Sequence, residues 1–242
     1  MNRRDCLALM GTASLALVGC ASAPPAMGTG DLGVVVARST GTLAIVNTSS
    51  RKLLGQVQGL GDLSHASVVF SRDARHAFVF GRDGGLTKVD LLTQRIVGRV
   101  MQAGNSIGGA ISADGRLVVA QNYTPGGIKA FDADTLELVA DVPAEHENGK
   151  RSRIVGLVDL PGQRFAYSLF DANAIWITDL SNPAHPVTTK LPNIGRQPYD
   201  ALVTPNGRHY IAGLFGEDGL ATADPWEDKP TVRRILAGYG RG

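Results

Sequence analysis

Short apolar runs, separated by turn residues, alternate along most of the chain. Between residues 60 and 101 four such runs follow one another: Ala66–Phe70, His76–Phe80, Gly85–Leu91 and Ile96–Met101. Each run has the length of a β-strand, and Asp, Gly and Arg occupy the breaks. Long helical periodicity is absent from the sequence. The pattern therefore predicts an all-β unit of four strands joined by tight turns.

This unit recurs along the chain at a nearly constant spacing. Its third strand ends each time in Asp or Asn, at intervals of 43, 42, 47 and 45 residues: Asn47, Asp90, Asp132, Asp179 and Asp224. A period in the forties with four strands per unit is typical of a β-propeller. A β-sandwich is the alternative fold, but it would not keep this register over five units.

The sequence predicts about five propeller blades, which suggests part of a larger ring. In the first unit, Gly33–Ala37 has the position of a second strand and Thr42–Asn47 that of a third, so a first strand is missing. The last unit reaches its fourth strand at Thr231–Leu236. We expect a partial propeller over residues 31–242.

The first thirty residues read as an export signal and a tether. Arg3 and Arg4 precede an apolar stretch, and Leu17-Val18-Gly19-Cys20 matches a lipobox. We expect a lipoprotein signal peptide over 1–19, lipidation of Cys20, and a flexible tether over 20–30. A buried N-terminal helix is the alternative, and the twin-arginine and general export routes both remain open. The expected location is the periplasm, with a lipid anchor in the membrane.

Composition excludes several classes of site. The two cysteines both lie in the leader, so the mature chain has no disulfide and no thiolate ligand. A net charge of +2 gives no reason to expect nucleic acid as a partner. Phosphate-binding loops, a Gly-x-Ser-x-Gly nucleophile elbow and the His/Glu spacing of zinc proteases are all missing.

Up-and-down topology collects polar residues on one face of the predicted propeller. The connection into each first strand and the loop between second and third strands share this face, which we call the mouth. It would carry His65, Arg38, Arg82, Asn122, Tyr123, Arg151, Arg153, Tyr199 and Asp200. The opposite face would carry ordinary turns such as Ala113-Asp114-Gly115. The mouth is therefore the predicted functional face.

The arginines of the mouth favour an anionic ligand, because guanidinium groups pair bidentately with carboxylates. A solvated rim with structural ion pairs is the alternative interpretation. His65 could bind a metal through its neutral imidazole or act as an acid and base. A structural histidine is the alternative at that position.

Several mouth motifs occur in the order and register of a known family. They are Leu63-Ser64-His65, Gly81-Arg82-Asp83, Ala120-Gln121-Asn122-Tyr123-Thr124-Pro125, Arg153-Ile154-Val155 and Pro198-Tyr199-Asp200. With them, the chain resembles the NirF family of haem d1 biogenesis proteins. It is more distantly similar to the d1-haem domain of cytochrome cd1 nitrite reductase.

The resemblance implies an eight-bladed propeller that holds a d1-type haem or its precursor at the mouth. His65 would then bind the haem iron, and Arg82 and Arg153 match arginines that contact carboxylate side chains of the macrocycle. The reductase has His where this chain has Tyr199, which argues against nitrite reduction. Tyr199 and Asp200 are instead candidate acid/base residues. A cytochrome c segment with a Cys-x-x-Cys-His motif is also missing.

The expected function is maturation of haem d1, through binding of a late precursor. Dehydrogenation of a propionate side chain is the reaction that the resemblance suggests. Nitrite reductase and other haem d1 maturation proteins are the expected protein partners. The alternative is a propeller scaffold without cofactor that docks maturation or respiratory proteins. A sugar or lactone hydrolase would need a metal-binding carboxylate cluster, and the sequence offers none.

Overall fold

The computed structural model describes residues 28–239, which form five antiparallel sheets. We number these sheets blades 1 to 5 in chain order. Blade 1 has three strands: β1 (Leu32–Ala37), β2 (Thr42–Asn47) and β3 (Lys52–Val57). Blade 2 has four: β4 (Ser67–Phe70), β5 (His76–Phe80), β6 (Gly85–Asp90) and β7 (Arg95–Met101). Blade 3 has β8 (Asn105–Ile111), β9 (Leu117–Thr124), β10 (Gly127–Asp132) and β11 (Leu138–Val142).

The last two blades repeat the same meander. Blade 4 contains β12 (Ile154–Leu160), β13 (Arg164–Leu169), β14 (Ala174–Asp179) and β15 (Val187–Leu191). Blade 5 contains β16 (Pro198–Val203), β17 (Tyr210–Leu214), β18 (Leu220–Ala223) and β19 (Val232–Ile235). Two short 3-10 turns, Thr29–Asp31 and Glu147–Gly149, complete the regular structure of residues 28–239.

The predicted all-β propeller is confirmed. Strands pair in sequential order within every sheet, and blade 1 lacks the first strand that the sequence pattern also lacked. The four runs of the opening repeat agree with β4 to β7 to within one residue at either end. The ring size of eight blades stays a prediction. The leader, including Cys20, lies outside the described residues.

The periodic Asp has a clear structural reason. Its side chain accepts hydrogen bonds from backbone N–H groups two or three residues further on, which fixes the turn into the fourth strand. Asp90 accepts from Leu92 at 2.9 Å, and Asn47 does the same for Ser50 at 2.7 Å. The same bonds recur at Asp132, Asp179 and Asp224. The repeat period therefore reports a repeated backbone turn.

Apolar side chains fill the spaces between neighbouring blades. One layer joins blades 1 and 2 around Leu43 and Val79, and another joins blades 4 and 5 around Ile175 and Tyr210. The first strands β4, β8, β12 and β16 pack side by side around the axis of the propeller. This places the residues at the start of each first strand around a single opening. Within residues 28–239, no helix is long and apolar enough to cross a membrane.

Candidate functional site at the propeller mouth

A small polar pocket lies on the axis, between the innermost strands. Its volume is about 230 Å³, and its walls include His65, Ser67, Gly108, Gly156 and Asp200. Small residues are needed here because the strands approach closely. Gly156 has a φ of +60°, and a Cβ on it would lie 2.7 Å from Cβ of Ala201. Both His65 and Asp200 are exposed where they line the pocket.

Two polar side chains in this pocket were missed by sequence reasoning. Gln121 is only 8% exposed, and its Oε1 accepts a hydrogen bond of 2.9 Å from the backbone N–H of Leu157. Ser67 Oγ is buried and has no hydrogen-bond partner within the described part of the chain. Gln121 belongs to the motif Ala120–Pro125 of the family resemblance, which gave it no role, and nothing in the local sequence marks Ser67. Strand packing turns both side chains towards the axis.

A tyrosine pair, Tyr123 and Tyr199, forms a bridge above the innermost strands. The two hydroxyl oxygens are 2.8 Å apart, although the residues lie 76 positions apart in sequence. Tyr123 is the last residue but one of β9 in blade 3 and Tyr199 lies in β16 of blade 5, so the contact joins two blades that are separated by blade 4. Burial raises the pKa of the Tyr123 phenol, and the hydrogen bond with Tyr199 raises it further. The Tyr123 phenol therefore stays protonated at neutral pH.

Arg153 lies beneath this bridge and is held by a carboxylate. Its Nη2 is 2.6 Å from Oδ1 of Asp171, and its Nε donates to Oδ2 at 3.0 Å. The hydrogen bond from Arg153 lowers the pKa of Asp171, and the same bond raises the pKa of Arg153. The guanidinium also stacks 4.2 Å from the ring centre of Phe170 and lies 5.9 Å from that of Tyr123. Arg153 is thus fixed on three sides.

The guanidinium of Arg82 also lies near Tyr123, and its surroundings differ from those of Arg153. Its guanidinium carbon is 5.9 Å from the centre of the Tyr123 ring. Among residues 28–239 it forms no salt bridge, and its backbone N–H is anchored to the carbonyl of Asp62 at 2.7 Å. The neighbouring acid, Asp83, is paired with Arg99 at 2.9 Å. Arg82 is therefore available to an anion at the mouth.

Three aromatic rings pack together next to the bridge, the buried Phe170 behind the more exposed Tyr199 and Phe215. Phe170 and Tyr199 meet edge to face with ring centres 5.8 Å apart, and Phe215 lies 5.7 Å from Tyr199. Phe215 is 57% exposed. Sequence reasoning missed Phe170 and Phe215. The surface is suited to stacking against a flat ring.

Comparison with known proteins identifies the family. The sequence model of the Cytochrome D1 heme domain family matches residues 27–242. The chain belongs to the cytochrome D1 heme domain family. It is 59% identical to Protein NirF of Pseudomonas aeruginosa over 228 residues, which cover 93% of this chain and 58% of that protein. It is also 59% identical to Protein NirF of Stutzerimonas stutzeri over 232 residues, covering 95% of this chain and 59% of that protein.

A solved structure from this family has the same architecture. Dihydro-heme d1 dehydrogenase NirN in complex with DHE superimposes with a TM-score of 0.76 at 25% identity, covering 90% of this chain and 46% of NirN. A functionally unknown protein from Desulfotomaculum acetoxidans superimposes with a TM-score of 0.70 at 12% identity, covering 86% of this chain and 67% of that one. The resemblance to NirF proteins is thereby confirmed. The chain spans a little under 60% of the length of the NirF relatives it matches.

The remaining predicted site residues of this cytochrome D1 heme domain chain lie apart from the bridge. Arg151 pairs with Glu145 at 3.2 Å. Asn122 is 2% exposed, and its amide exchanges two hydrogen bonds of 2.9 Å with Gln102. Arg38 is exposed in the turn after β1. The structure thus brings together Arg82, Tyr123, Arg153 and Tyr199, with His65 and Asp200 in the adjoining pocket, and turns Asn122 into the interior.

Proposed function

We propose that this chain is the propeller part of a haem d1 maturation protein that binds a late d1-haem precursor at its mouth. The observation that carries the proposal is that Arg82, which forms no salt bridge within residues 28–239, lies against the tyrosine bridge, while His65 lines the adjoining pocket. Identity to NirF proteins and the superposition on the NirN complex support the same ligand class.

The donor set fits an iron tetrapyrrole. Within residues 28–239 no group of three or more His, Cys, Asp or Glu side chains could hold a metal ion. A haem iron would need no such group, because the macrocycle itself supplies most of its ligands and one side chain of the protein would complete them. In this proposal His65 would hold the iron and Arg82 would pair with a carboxylate side chain of the macrocycle. Tyr199 and Phe215 would offer a surface for the flat ring.

The finer proposal is dehydrogenation of a propionate side chain. Removal of two hydrogens leaves a carbon–carbon double bond, one proton going to a base of the protein. Asp200 is the candidate base because it is exposed in the pocket beside His65, and Tyr199 is the candidate phenol next to it. The second proton and two electrons would pass to a redox acceptor outside this chain.

We also propose a periplasmic location with a lipid on Cys20. The motivating features are the lipobox and the basic, apolar leader. In this setting the partners would be nitrite reductase, which uses the finished cofactor, and other haem d1 maturation proteins.

Optical titration of the complete protein with d1 haem tests the ligand proposal. We expect wild-type protein to shift the absorption bands of the haem, and His65→Ala to lose that shift. His185→Ala is the matched control, because His185 is exposed in the loop between β14 and β15 on the opposite face. Absence of a shift with wild-type protein, or an unchanged shift with His65→Ala, would contradict the proposal.

A cofactor-free scaffold makes a different prediction. It requires the mouth arginines to be dispensable, so haem d1 production should be unaffected by both Arg82→Ala and Arg153→Ala. Loss of production with Arg82→Ala would exclude the scaffold reading.

A further inference from the structure

The segment that carries His65 has no regular secondary structure, yet side chains of blade 2 hold its backbone. Residues 58–66 form this segment, which joins β3 to β4. We propose that Asp83 and Arg99 are positioning residues for His65, because their ion pair fixes the segment and so determines where His65 lies at the axial pocket. The inference rests on the proposed function, since the ligand that His65 would meet is the one proposed there.

The ion pair contacts the segment through both an acceptor and a donor. Oδ2 of Asp83 accepts a hydrogen bond of 3.3 Å from the backbone N–H of Asp62. Nη1 of Arg99 donates to the backbone carbonyl of Leu60. The two charged groups meet at 2.9 Å, between Nη2 of Arg99 and Oδ2 of Asp83. Backbone groups outside strands need partners of this kind, and here one ion pair supplies two of them.

Blade 2 in turn fixes the ion pair. Oδ1 of Asp83 accepts from the backbone N–H of Gly85 at 2.9 Å, and Nη1 of Arg99 also donates to Oγ1 of Thr87 at 2.8 Å. Gly85 and Thr87 belong to β6, and Arg99 belongs to β7. The side chains of Asp83 and Arg99 are only 28% and 23% exposed. The pair is therefore part of the sheet, unlike freely exposed pairs, whose geometry is loosely held.

Apolar packing holds the segment from its other side. Leu60 and Leu63 are each 1% exposed and pack in the layer between blades 1 and 2. Between them, Oδ1 of Asp62 accepts a hydrogen bond of 2.8 Å from the backbone N–H of Ser64, which sets the turn directly before His65. A change at the ion pair would therefore be transmitted to His65 through a short stretch of chain.

A glycine allows the two stretches of backbone to approach each other. A Cβ on Gly81 would lie 2.7 Å from Oδ1 of Asp83 and 3.1 Å from the carbonyl oxygen of Asp62. The motif Gly81-Arg82-Asp83 thus contains the residue that makes room for the segment and the residue that holds it. This gives Asp83 a task that differs from that of its neighbour Arg82.

Hydrogen exchange of the complete protein without ligand tests the contact itself. We expect Asp83→Asn to speed amide exchange several-fold over residues 58–66 and to leave blade 4 unchanged. Arg99→Lys is a milder second variant with the same expected result, because one ammonium group does not reproduce the fork of guanidinium donors. Asp90→Asn is the matched control, since Asp90 pairs with Arg75 at 2.8 Å in the same blade but on the opposite face. It should leave exchange over residues 58–66 as in wild type.

Binding of d1 haem tests whether the ion pair acts through His65. The dissociation constant is measured by quenching of tryptophan fluorescence, so that it does not depend on the absorption bands of the haem. We expect Asp83→Asn to raise it at least fivefold in otherwise wild-type protein and to have no further effect in His65→Ala protein. Asp83→Asn should also reduce the absorption shift that depends on His65, whereas Asp90→Asn should bind as wild type does.

Three results would overturn the inference. One is unchanged exchange over residues 58–66 in both Asp83→Asn and Arg99→Lys. Another is equally accelerated exchange there in Asp90→Asn, which would indicate a general loss of stability. The third is a loss of binding on Asp83→Asn that is the same in wild-type and His65→Ala protein, because additive effects would show that the ion pair acts independently of His65.

Failure of the proposed function would look different. Wild-type protein would then neither bind d1 haem nor shift its absorption bands. Exchange measured on the unliganded variants would still decide whether Asp83 and Arg99 fix the segment that carries His65.

Discussion

A single buried phenol, Tyr210, ties two blades together just beneath the candidate site. Its hydroxyl donates to the carbonyl of Gly156 at 2.9 Å and lies 2.8 Å from Oγ of Ser168. Tyr210 is fully buried at the start of β17, whereas both partners belong to blade 4. Because Gly156 also lines the axial pocket, this contact connects blade packing to the site. We expect Tyr210→Phe to destabilise the protein without changing its volume much.

The size of this loss of stability follows from the two polar groups that Tyr210→Phe leaves without a hydrogen-bond partner. The Tyr210→Phe substitution removes one donor and one acceptor, so the Gly156 carbonyl and the Ser168 hydroxyl each lose a hydrogen bond in the interior. A buried polar group left unpaired costs about 1–3 kcal/mol. Partial relaxation and the apolar gain of phenylalanine offset part of this cost, so we expect a net loss of roughly 2–3 kcal/mol.

Urea denaturation of the complete protein, followed by tryptophan fluorescence, measures this loss. For a slope of about 3 kcal/mol per M, the midpoint should fall by roughly 0.7–1 M. The double variant Tyr210→Phe/Ser168→Ala should be more stable than additivity predicts, because the serine no longer carries an unpaired hydroxyl. A midpoint shift below about 0.2 M, or strictly additive effects, would refute this account of the blade contact.

Three further substitutions test neighbouring features. Gly156→Ala should cost roughly 2–4 kcal/mol in urea unfolding, because φ is +60° and the new Cβ would lie 2.7 Å from that of Ala201. Asn122→Ala should cost about 1–3 kcal/mol by leaving the buried amide of Gln102 unpaired, yet leave the d1-haem absorption shift unchanged. Asp171→Asn should destabilise the protein at pH 7 but not in acid. Because the pKa of Asp171 is lowered in the folded protein, its ionised carboxylate stabilises the fold at pH values above the usual aspartate pKa. This contribution disappears as the pH falls through the lowered pKa.

Matched controls separate these effects from general ones. Asp228→Asn changes an exposed carboxylate in the turn after β18, so its urea midpoint should follow wild type at both pH 7 and pH 3. If the urea midpoint of Asp171→Asn lies as far below that of wild type at pH 3 as at pH 7, the role of the ionised carboxylate is contradicted. A lost or altered d1-haem absorption shift with Asn122→Ala would show that this amide does reach the ligand.

The fold was readable from the sequence because its signals are local. Asp90 and its equivalents accept hydrogen bonds from residues two or three positions away. The residues that determine each turn are therefore close together in the sequence. A second local contact lies in the turn after β4, where Oγ of Ser71 donates a hydrogen bond of 2.5 Å to Oδ1 of Asp73. Strand bounds moved by no more than one residue in blade 2, since each strand is bracketed by such turns. Register and blade order followed from the repeat.

The composition of the site was only partly readable, because its contacts are long-range. Topology correctly placed Tyr123 and Tyr199 on one face, but it gave no reason to expect their hydroxyls to meet over an intervening blade. Phe170 and Phe215 look like ordinary strand-end apolar residues in the sequence. Asn122 adjoins Tyr123 in the same motif, yet strand alternation turns its side chain into the interior.

Charge pairing is the feature that most changes the interpretation of the mouth. The sequence presents a group of arginines, and a group suggests a strongly cationic surface. In the structure Arg151 pairs with Glu145, Arg153 with Asp171, and Arg196 with Glu217. Exposed pairs of this kind contribute little to stability, but each one removes a positive charge from the field that an anionic ligand would meet. Among residues 28–239, Arg82 is the arginine at the tyrosine bridge that forms no salt bridge, so the proposed binding of a carboxylate depends on it most.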